Sequence, residues 1–104
     1  MSRISLIGVC CATVLLGLSQ RAPAADAQAG KKLSDATCIA CHGASGIGII
    51  DLYPNLAGQK SAYLVAQLRA FRDGSRKNPI MSPMAVHLSD GEIEDLAAYF
   101  SSLK

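Results

Sequence analysis

Two cysteines and a histidine stand close together in the segment Cys38-Ile39-Ala40-Cys41-His42. Cysteines three residues apart in a helical turn project to nearly the same side, so both thiols can react with one edge of a planar group. The histidine that follows directly brings an imidazole to the same place. This C-x-x-C-H pattern is typical of covalent haem attachment, in which two thiols add to the vinyl groups and the imidazole binds the iron.

Other roles for a pair of cysteines fit the chain less well. A thioredoxin-like dithiol requires a strand–helix–strand setting, which the surrounding sequence does not show. A zinc site needs four nitrogen or sulfur ligands, whereas the chain beyond residue 24 holds two cysteines and two histidines with unsuitable spacing. A disulfide between Cys38 and Cys41 would close too short a loop to constrain the unfolded chain much. The sequence therefore predicts one haem c, bound through Cys38 and Cys41 with His42 on the iron.

The first 24 residues are predicted to form a secretory signal peptide. Arg3 gives a positive start, an uncharged and mostly apolar run follows over 4–18, and Ala22-Pro23-Ala24 offers small residues to a signal peptidase. The apolar run is about 15 residues, short of the roughly 20 that a membrane-spanning helix needs, so a retained anchor is the weaker alternative. We therefore predict a periplasmic domain over 25–104, with no membrane span in the mature form.

Cleavage after Ala24 changes the charge of the protein. The whole sequence has 10 Lys+Arg and 8 Asp+Glu, and loss of Arg3 and Arg21 leaves eight of each. A formally neutral domain gives no reason to expect nucleic acid as a partner. A domain of about 80 residues also buries little apolar surface on its own and usually carries a disulfide, a metal or a cofactor.

Helical periodicity dominates the predicted domain, and no segment alternates with a period of two. The patterns predict a helix over 26–41, a second over Ser61–Asp73 ended by Gly74, and a last helix. The last helix begins with the capping box Ser89-Asp90-Gly91-Glu92. The segment 80–84 has no clear period and is predicted to be a loop. The predicted fold class is all-α, with three to four helices around one covalent haem.

Several groups of residues follow the haem motif in a characteristic order. They are Cys38-Ile39-Ala40-Cys41-His42-Gly43, Tyr53-Pro54-Asn55-Leu56-Ala57-Gly58-Gln59, Tyr63-Leu64 with Gln67-Leu68, Phe71-Arg72 with Gly74, and Leu88-Ser89-Asp90 leading to Leu96-Ala97-Ala98-Tyr99-Phe100. In this order the domain resembles the class I cytochromes c over its whole length. It is most similar to the small bacterial periplasmic type with one haem and to one half of the tandem di-haem type.

The resemblance implies two contacts around the haem. The N- and C-terminal helices of the family cross at close range, which makes Gly30 the expected small residue at the crossing, with Tyr99 or Phe100 packed against it. The carbonyl of Pro54 is expected to accept a hydrogen bond from Nδ1–H of His42. Such a bond fixes the tautomer of the imidazole and raises its basicity as a ligand.

The second iron ligand has several candidates, namely Met81, Met84, His87, or no protein ligand at all. A thioether opposite the histidine raises the reduction potential towards values useful to an electron carrier. Counted back from Leu88-Ser89-Asp90, the family's ligand methionine falls on Met81. Met84 stays an alternative ligand. Whichever methionine does not bind the iron would fill apolar space around the haem.

The resemblance implies a periplasmic electron-transfer protein with His/Met ligation that is not itself an enzyme. Its partners would be a redox donor and acceptor that dock transiently. Basic residues around the second helix and acidic residues on the last one suggest a polarised docking surface, or merely solvated helix faces. The alternatives are a haem subunit of a larger oxidoreductase, such as a flavoprotein sulfide dehydrogenase, and a haem enzyme or gas sensor with an open sixth position.

Overall fold

A computed structural model describes residues 8, 11–19 and 24–104 of the chain. The predicted signal peptide, residues 1–24, lies largely outside the described residues, and its cleavage after Ala24 stays a prediction. Residues 11–19 form no regular secondary structure, and their side chains are exposed. Among the described residues no helix is both long and apolar enough to cross a membrane.

Five helices follow, and no strand occurs in the described part of the chain. They are α1 (Ala27–Thr37), α2 (Ile39–His42), α3 (Ser61–Asp73), α4 (Met81–Ala85) and α5 (Asp90–Ser102). The predicted all-α fold class is confirmed. The three long helices correspond to the three predicted ones, and the two short helices lie beside the haem motif and the candidate methionines.

The first predicted helix, 26–41, is divided in the structure at Cys38 into α1 and α2. Cys38 keeps helical backbone angles (φ −96°, ψ −36°), so α2 follows α1 directly. The hydroxyl of Thr37, just before the division, donates to the carbonyl of Leu33 at 3.0 Å. Hydroxyl groups that bond back to the preceding turn tend to disturb a helix at such a point.

The prediction of a loop over 80–84 was wrong, because Met81–Ala85 forms α4. The side-chain oxygen of Asn78 accepts hydrogen bonds from the backbone N–H groups of Ile80 and Met81, both at 2.9 Å. The pair Asn78-Pro79 is a turn signal, but it is equally an N-terminal cap followed by a proline, which is favoured at the first helical position. As a helix N-terminus, Asn78-Pro79 was the signal in the sequence for α4.

Helices α1 and α5 cross in close contact at Gly30. A Cβ atom at this position would overlap the carbonyl oxygen of Asp95 and lie 2.9 Å from the Cβ of Tyr99, so only a hydrogen atom fits. The crossing is also tied at the start of α1, where the backbone N–H of Asp26 donates to the Asp95 carboxylate at 2.8 Å. Gly30 is therefore the crossing residue that was predicted, with Tyr99 as its aromatic neighbour.

The apolar core lies where α5 packs against α1 and α3. Helix α5 contributes most of it, and the capping box at Ser89 and Glu92 fixes the start of that helix. The buried apolar side chains of the described chain are Leu64, Phe71, Ala85, Ile93, Leu96, Ala97, Tyr99 and Phe100. This arrangement brings the C-terminal end of α1, and with it the C-x-x-C-H motif, next to the core.

Candidate functional site

His42 ends α2 and is 8% exposed. Its Nδ1 atom lies 2.9 Å from the carbonyl oxygen of Pro54. Because a carbonyl oxygen can only accept, Nδ1 must carry the hydrogen, and the lone pair of the neutral ring is therefore on Nε2. The contact expected from the resemblance is present, and it leaves Nε2 as the atom of His42 that can bind a metal.

Cys38 and Cys41 are both free and half-buried. The carbonyl of Cys38 accepts hydrogen bonds from the N–H groups of Cys41 at 3.3 Å and His42 at 3.0 Å, so the motif forms one helical turn. Burial raises the pKa of the Cys38 thiol, and the hydroxyls of Thr37 and Ser34 act in the opposite direction. The turn presents two thiols with the spacing that a single haem edge requires.

The loop between α2 and α3 is closed by its own hydrogen bonds. The carbonyl of Gly46 accepts from the N–H groups of Leu56 at 2.7 Å and Ala57 at 3.0 Å. The side chain of Asn55 accepts from the N–H of Gly48 at 2.8 Å. These bonds fix the backbone on both sides of Pro54, whose carbonyl orients His42. Asn55 was part of the sequence motif, but its role could not be seen until the loop was folded.

The candidate sixth ligands lie on and after α4. Met81 is the first residue of that helix, is half-buried and lies near the buried His42. Met84 is 45% exposed, and His87 is also exposed. Of the three, Met81 is the least exposed to solvent.

Apolar side chains close to the motif are left uncovered by the protein itself. In the loop after α2, Ile47, Ile49, Ile50 and Leu52 are exposed, Leu52 by 77%. The N–H of Ile49 donates to the carbonyl of Cys41 at 3.1 Å, which holds this loop against the motif. Exposed apolar groups gathered in one place usually contact another molecule or group.

The residues present fit a haem. Two free thiols one helical turn apart, an imidazole with its lone pair on Nε2, and a nearby thioether are the groups that a covalent haem needs. Within residues 8, 11–19 and 24–104, no three or more His, Cys, Asp or Glu side chains gather into a metal-binding cluster.

Some of the charges that suggested a polarised surface pair with one another between α3 and α5. Arg72 lies 2.8 Å from the carboxylate of Asp90, and Arg69 lies 3.5 Å from that of Glu94. The hydrogen bond from Arg72 lowers the pKa of Asp90 below its ordinary value. Such pairs near the surface contribute little stability, and they neutralise part of the charge on each helix, so a polarised docking surface stays a prediction.

Comparison with known proteins places these features in one family. Residues 27–104 match the family described as cytochrome c. Cytochrome c-554(548) of Halomonas halodenitrificans is 50% identical over 82 residues, which cover 76% of this chain and 98% of that protein. Cytochrome c4 of Thiocapsa roseopersicina is 44% identical over 77 residues, which cover 74% of this chain but only 40% of that protein.

A further relative is the thiosulfate dehydrogenase electron acceptor of Thiomonas intermedia, 53% identical over 70 residues that cover 66% of this chain and 32% of that protein. Among solved structures, cytochrome c4 of Acidithiobacillus ferrooxidans superposes with a TM-score of 0.73 and 34% identity. That match covers 79% of this chain and 52% of the other. Of these four proteins, the chain spans nearly all of one and about half or less of the other three.

The helical fold, the C-x-x-C-H turn and these similarities define a c-type electron-transfer domain. The chain belongs to the cytochrome c family. Its relatives are electron carriers and not enzymes, and it is similar both to small cytochromes and to one half of di-haem cytochromes.

Proposed function

We propose that the chain is a periplasmic one-electron carrier with a single haem c, bound through Cys38 and Cys41 and ligated axially by His42 and Met81. The observation that carries the proposal is the 2.9 Å contact between Nδ1 of His42 and the carbonyl of Pro54. It leaves Nε2 for the iron within a turn that also holds two free thiols. The predicted signal peptide supports export of the chain to the periplasm.

The haem, when bound, supplies an iron that changes between the ferrous and ferric states. The residues of the chain set the conditions for that change. The carbonyl of Pro54 raises the basicity of His42 by accepting a hydrogen bond from its Nδ1–H. Met81 supplies a soft thioether that favours the reduced state. Two ligands that stay bound in both states leave little to rearrange when an electron moves, which suits a carrier.

Met81 is proposed ahead of Met84 and His87 because of burial. The iron would bind His42, which is buried. A second protein ligand therefore has to be shielded from solvent near His42, and Met81 is half-buried there. Met84 lies one helical turn further along and is 45% exposed, which suits a surface role. The two methionines therefore provide a matched pair for a test, because they have the same side chain in the same short helix.

The test is the visible spectrum of the reduced holoprotein with and without carbon monoxide. The wild type is expected to show a low-spin spectrum that carbon monoxide leaves unchanged. Met81→Ala is expected to bind carbon monoxide, and Met84→Ala is expected to behave like the wild type. Carbon monoxide binding by the wild type would instead favour an enzyme or sensor with an open site. The reverse result for the two variants would move the ligand to Met84.

We also propose a partner class on the basis of the relatives. The proteins of Thiomonas intermedia and Stutzerimonas stutzeri are both named thiosulfate dehydrogenase electron acceptor. A thiosulfate dehydrogenase is therefore our first choice as electron donor, and a flavoprotein sulfide dehydrogenase with this chain as its haem subunit is the alternative. If the first choice is right, reduction of the ferric protein should require both a thiosulfate dehydrogenase and its substrate thiosulfate. Copurification with a flavoprotein, and reduction only by that protein with sulfide, would favour the alternative.

A further inference from the structure

The segment that carries Met81 has little packing to hold it in place. Helix α4 has 5 residues, and only Ala85 among them is buried. A helix this short is not stable in water by itself, because its few hydrogen bonds do not offset the cost of starting it. Something other than the core must therefore fix the backbone of Met81.

Asn78 makes the contacts that do this. Its side-chain oxygen accepts from the N–H groups of Ile80 and Met81, both at 2.9 Å. Its own N–H donates to the hydroxyl of Ser82 at 3.0 Å, and the N–H of Ser82 donates to the Asn78 carbonyl at 3.0 Å. Two of these four hydrogen bonds thus join Asn78 to Ser82 across Met81, and another ends on the N–H of Met81 itself.

The far end of the same segment is held by α3. The guanidinium of Arg72 donates to the carbonyl of Leu88 at 3.3 Å, just before α5 begins. The segment is therefore fixed at both ends, by Asn78 before Met81 and by Arg72 beyond α4. Between these anchors, the side chain of Asn78 bonds directly to the backbone of the residue that is proposed to reach the iron.

We propose that Asn78 is a positioning residue for the sixth iron ligand. Its side-chain oxygen holds the backbone of Met81 in the one conformation from which the thioether stays bound, and loss of that oxygen lets Met81 leave the iron more often. This inference rests on the proposed ligation by Met81. Asn78 itself does not touch the haem iron in this proposal and acts only through Met81.

The consequence is measurable as competition at the iron. An external ligand such as imidazole can bind the iron of the ferric protein only when Met81 has dissociated from it. The apparent affinity for imidazole therefore scales with the fraction of molecules in which Met81 is dissociated. Removal of a capping side chain typically changes such a local equilibrium by about fivefold. Asn78→Ala should therefore bind imidazole about five times more tightly than the wild type.

The experiment titrates the ferric holoproteins with imidazole and follows their visible spectra, with thermal unfolding measured in parallel. Asn78→Asp keeps an oxygen that can accept the same two hydrogen bonds, and its imidazole affinity should stay within about twofold of the wild type. The control is Asp26→Ala. Asp26 caps α1 in the same way, accepting from the N–H groups of Gln28 at 2.9 Å and Ala29 at 3.2 Å. Its loss should lower the melting temperature and leave the imidazole affinity unchanged.

Two results would overturn the proposal. One is an Asn78→Ala protein whose imidazole affinity equals that of the wild type. The other is an equal rise in the Asp26→Ala control, which would mean that general destabilisation opens the site. Should Asn78→Ala fail to fold, Ser82→Ala removes only the bond from the Asn78 N–H, and a rise in imidazole affinity is again expected. Met81→Ala separates the two proposals, because an unchanged spectrum in that variant refutes the ligand assignment itself.

Discussion

At Gly30 the absence of a side chain is what lets two helices meet. A Cβ at that position overlaps the Asp95 carbonyl, which belongs to the backbone of α5 and cannot turn aside as a side chain could. Gly30→Ala should therefore lower the free energy of unfolding of the holoprotein by about 3 kcal/mol, since overpacking at a rigid contact costs on this order. Denaturant unfolding followed by circular dichroism measures the loss.

Gly91 provides the matched control for that substitution. It lies in α5, and a Cβ there would find only the Ser89 hydroxyl, 3.9 Å away. Gly91→Ala should leave the stability unchanged or raise it by up to about 1 kcal/mol, because alanine favours helix. Equal stabilities of the Gly30 and Gly91 variants would show that the crossing can relax, contrary to our interpretation.

Residues differ in how far their roles could be predicted from the sequence. Cys38, Cys41 and His42 could be predicted as site residues from their spacing, because the chemistry of attachment requires that spacing. The acceptor at Pro54 is a backbone carbonyl, which every residue has, so only the family resemblance pointed to it. The side-chain hydrogen bonds of Asn78 and Asn55 depend on how the chain folds around each residue, and the local sequence does not specify their partners.

At the scale of helices, the boundaries that were predicted well are those that particular residues at the helix ends determine. Gly74 adopts a positive φ of 89° at the end of α3, and Ser89 and Glu92 cap each other at the start of α5. Helix α4 was missed because Asn78-Pro79 fits both a turn and a helix start. Which of the two forms is decided by contacts with α3 and by Ser82, and these appear only in the folded chain.

The link between α3 and α5 should make stability depend on pH in the acid range. The hydrogen bond and the charge of Arg72 hold the pKa of Asp90 below its ordinary value of 3.8. A carboxyl group with a lower pKa in the folded state stabilises the fold above its unfolded pKa, and this stabilisation is lost as the pH falls through the folded pKa. The melting temperatures of the wild type and Asp90→Asn should therefore differ at pH 6 and converge towards pH 3.

Asp51 offers the control for this effect, since it makes no ion pair or side-chain hydrogen bond with any residue that the structure describes. Asp51→Asn should follow the wild type from pH 6 to pH 3. A constant difference between Asp90→Asn and the wild type over that range would mean that ionisation of Asp90 does not contribute.

At the scale of the whole molecule, the same domain occurs in two settings. It matches cytochrome c-554(548) over 98% of that protein's length but cytochrome c4 over only 40%. A domain used alone and as part of a longer chain has to hold its own haem in both cases. All contacts that shape the proposed site lie within 25–104, including those of His42 with Pro54 and of Asn78 with Met81. A domain that holds its own haem requires this.

The apolar core of the protein is small, and we expect it not to hold the chain folded without a haem. Eight apolar side chains are buried among the described residues, while Ile47, Ile49, Ile50 and Leu52 beside the motif are exposed. Domains of about 80 residues are usually marginal unless a bound group adds to the core. The chain produced without haem attachment should therefore have weak helical circular dichroism and no cooperative thermal transition, whereas the holoprotein melts cooperatively.

Wild-type chain made in a cytoplasm that lacks the attachment machinery is the better sample, because it avoids cysteine substitutions that would disturb α2. A haem-free chain that melts cooperatively within a few degrees of the holoprotein would show instead that α1, α3 and α5 suffice for the fold.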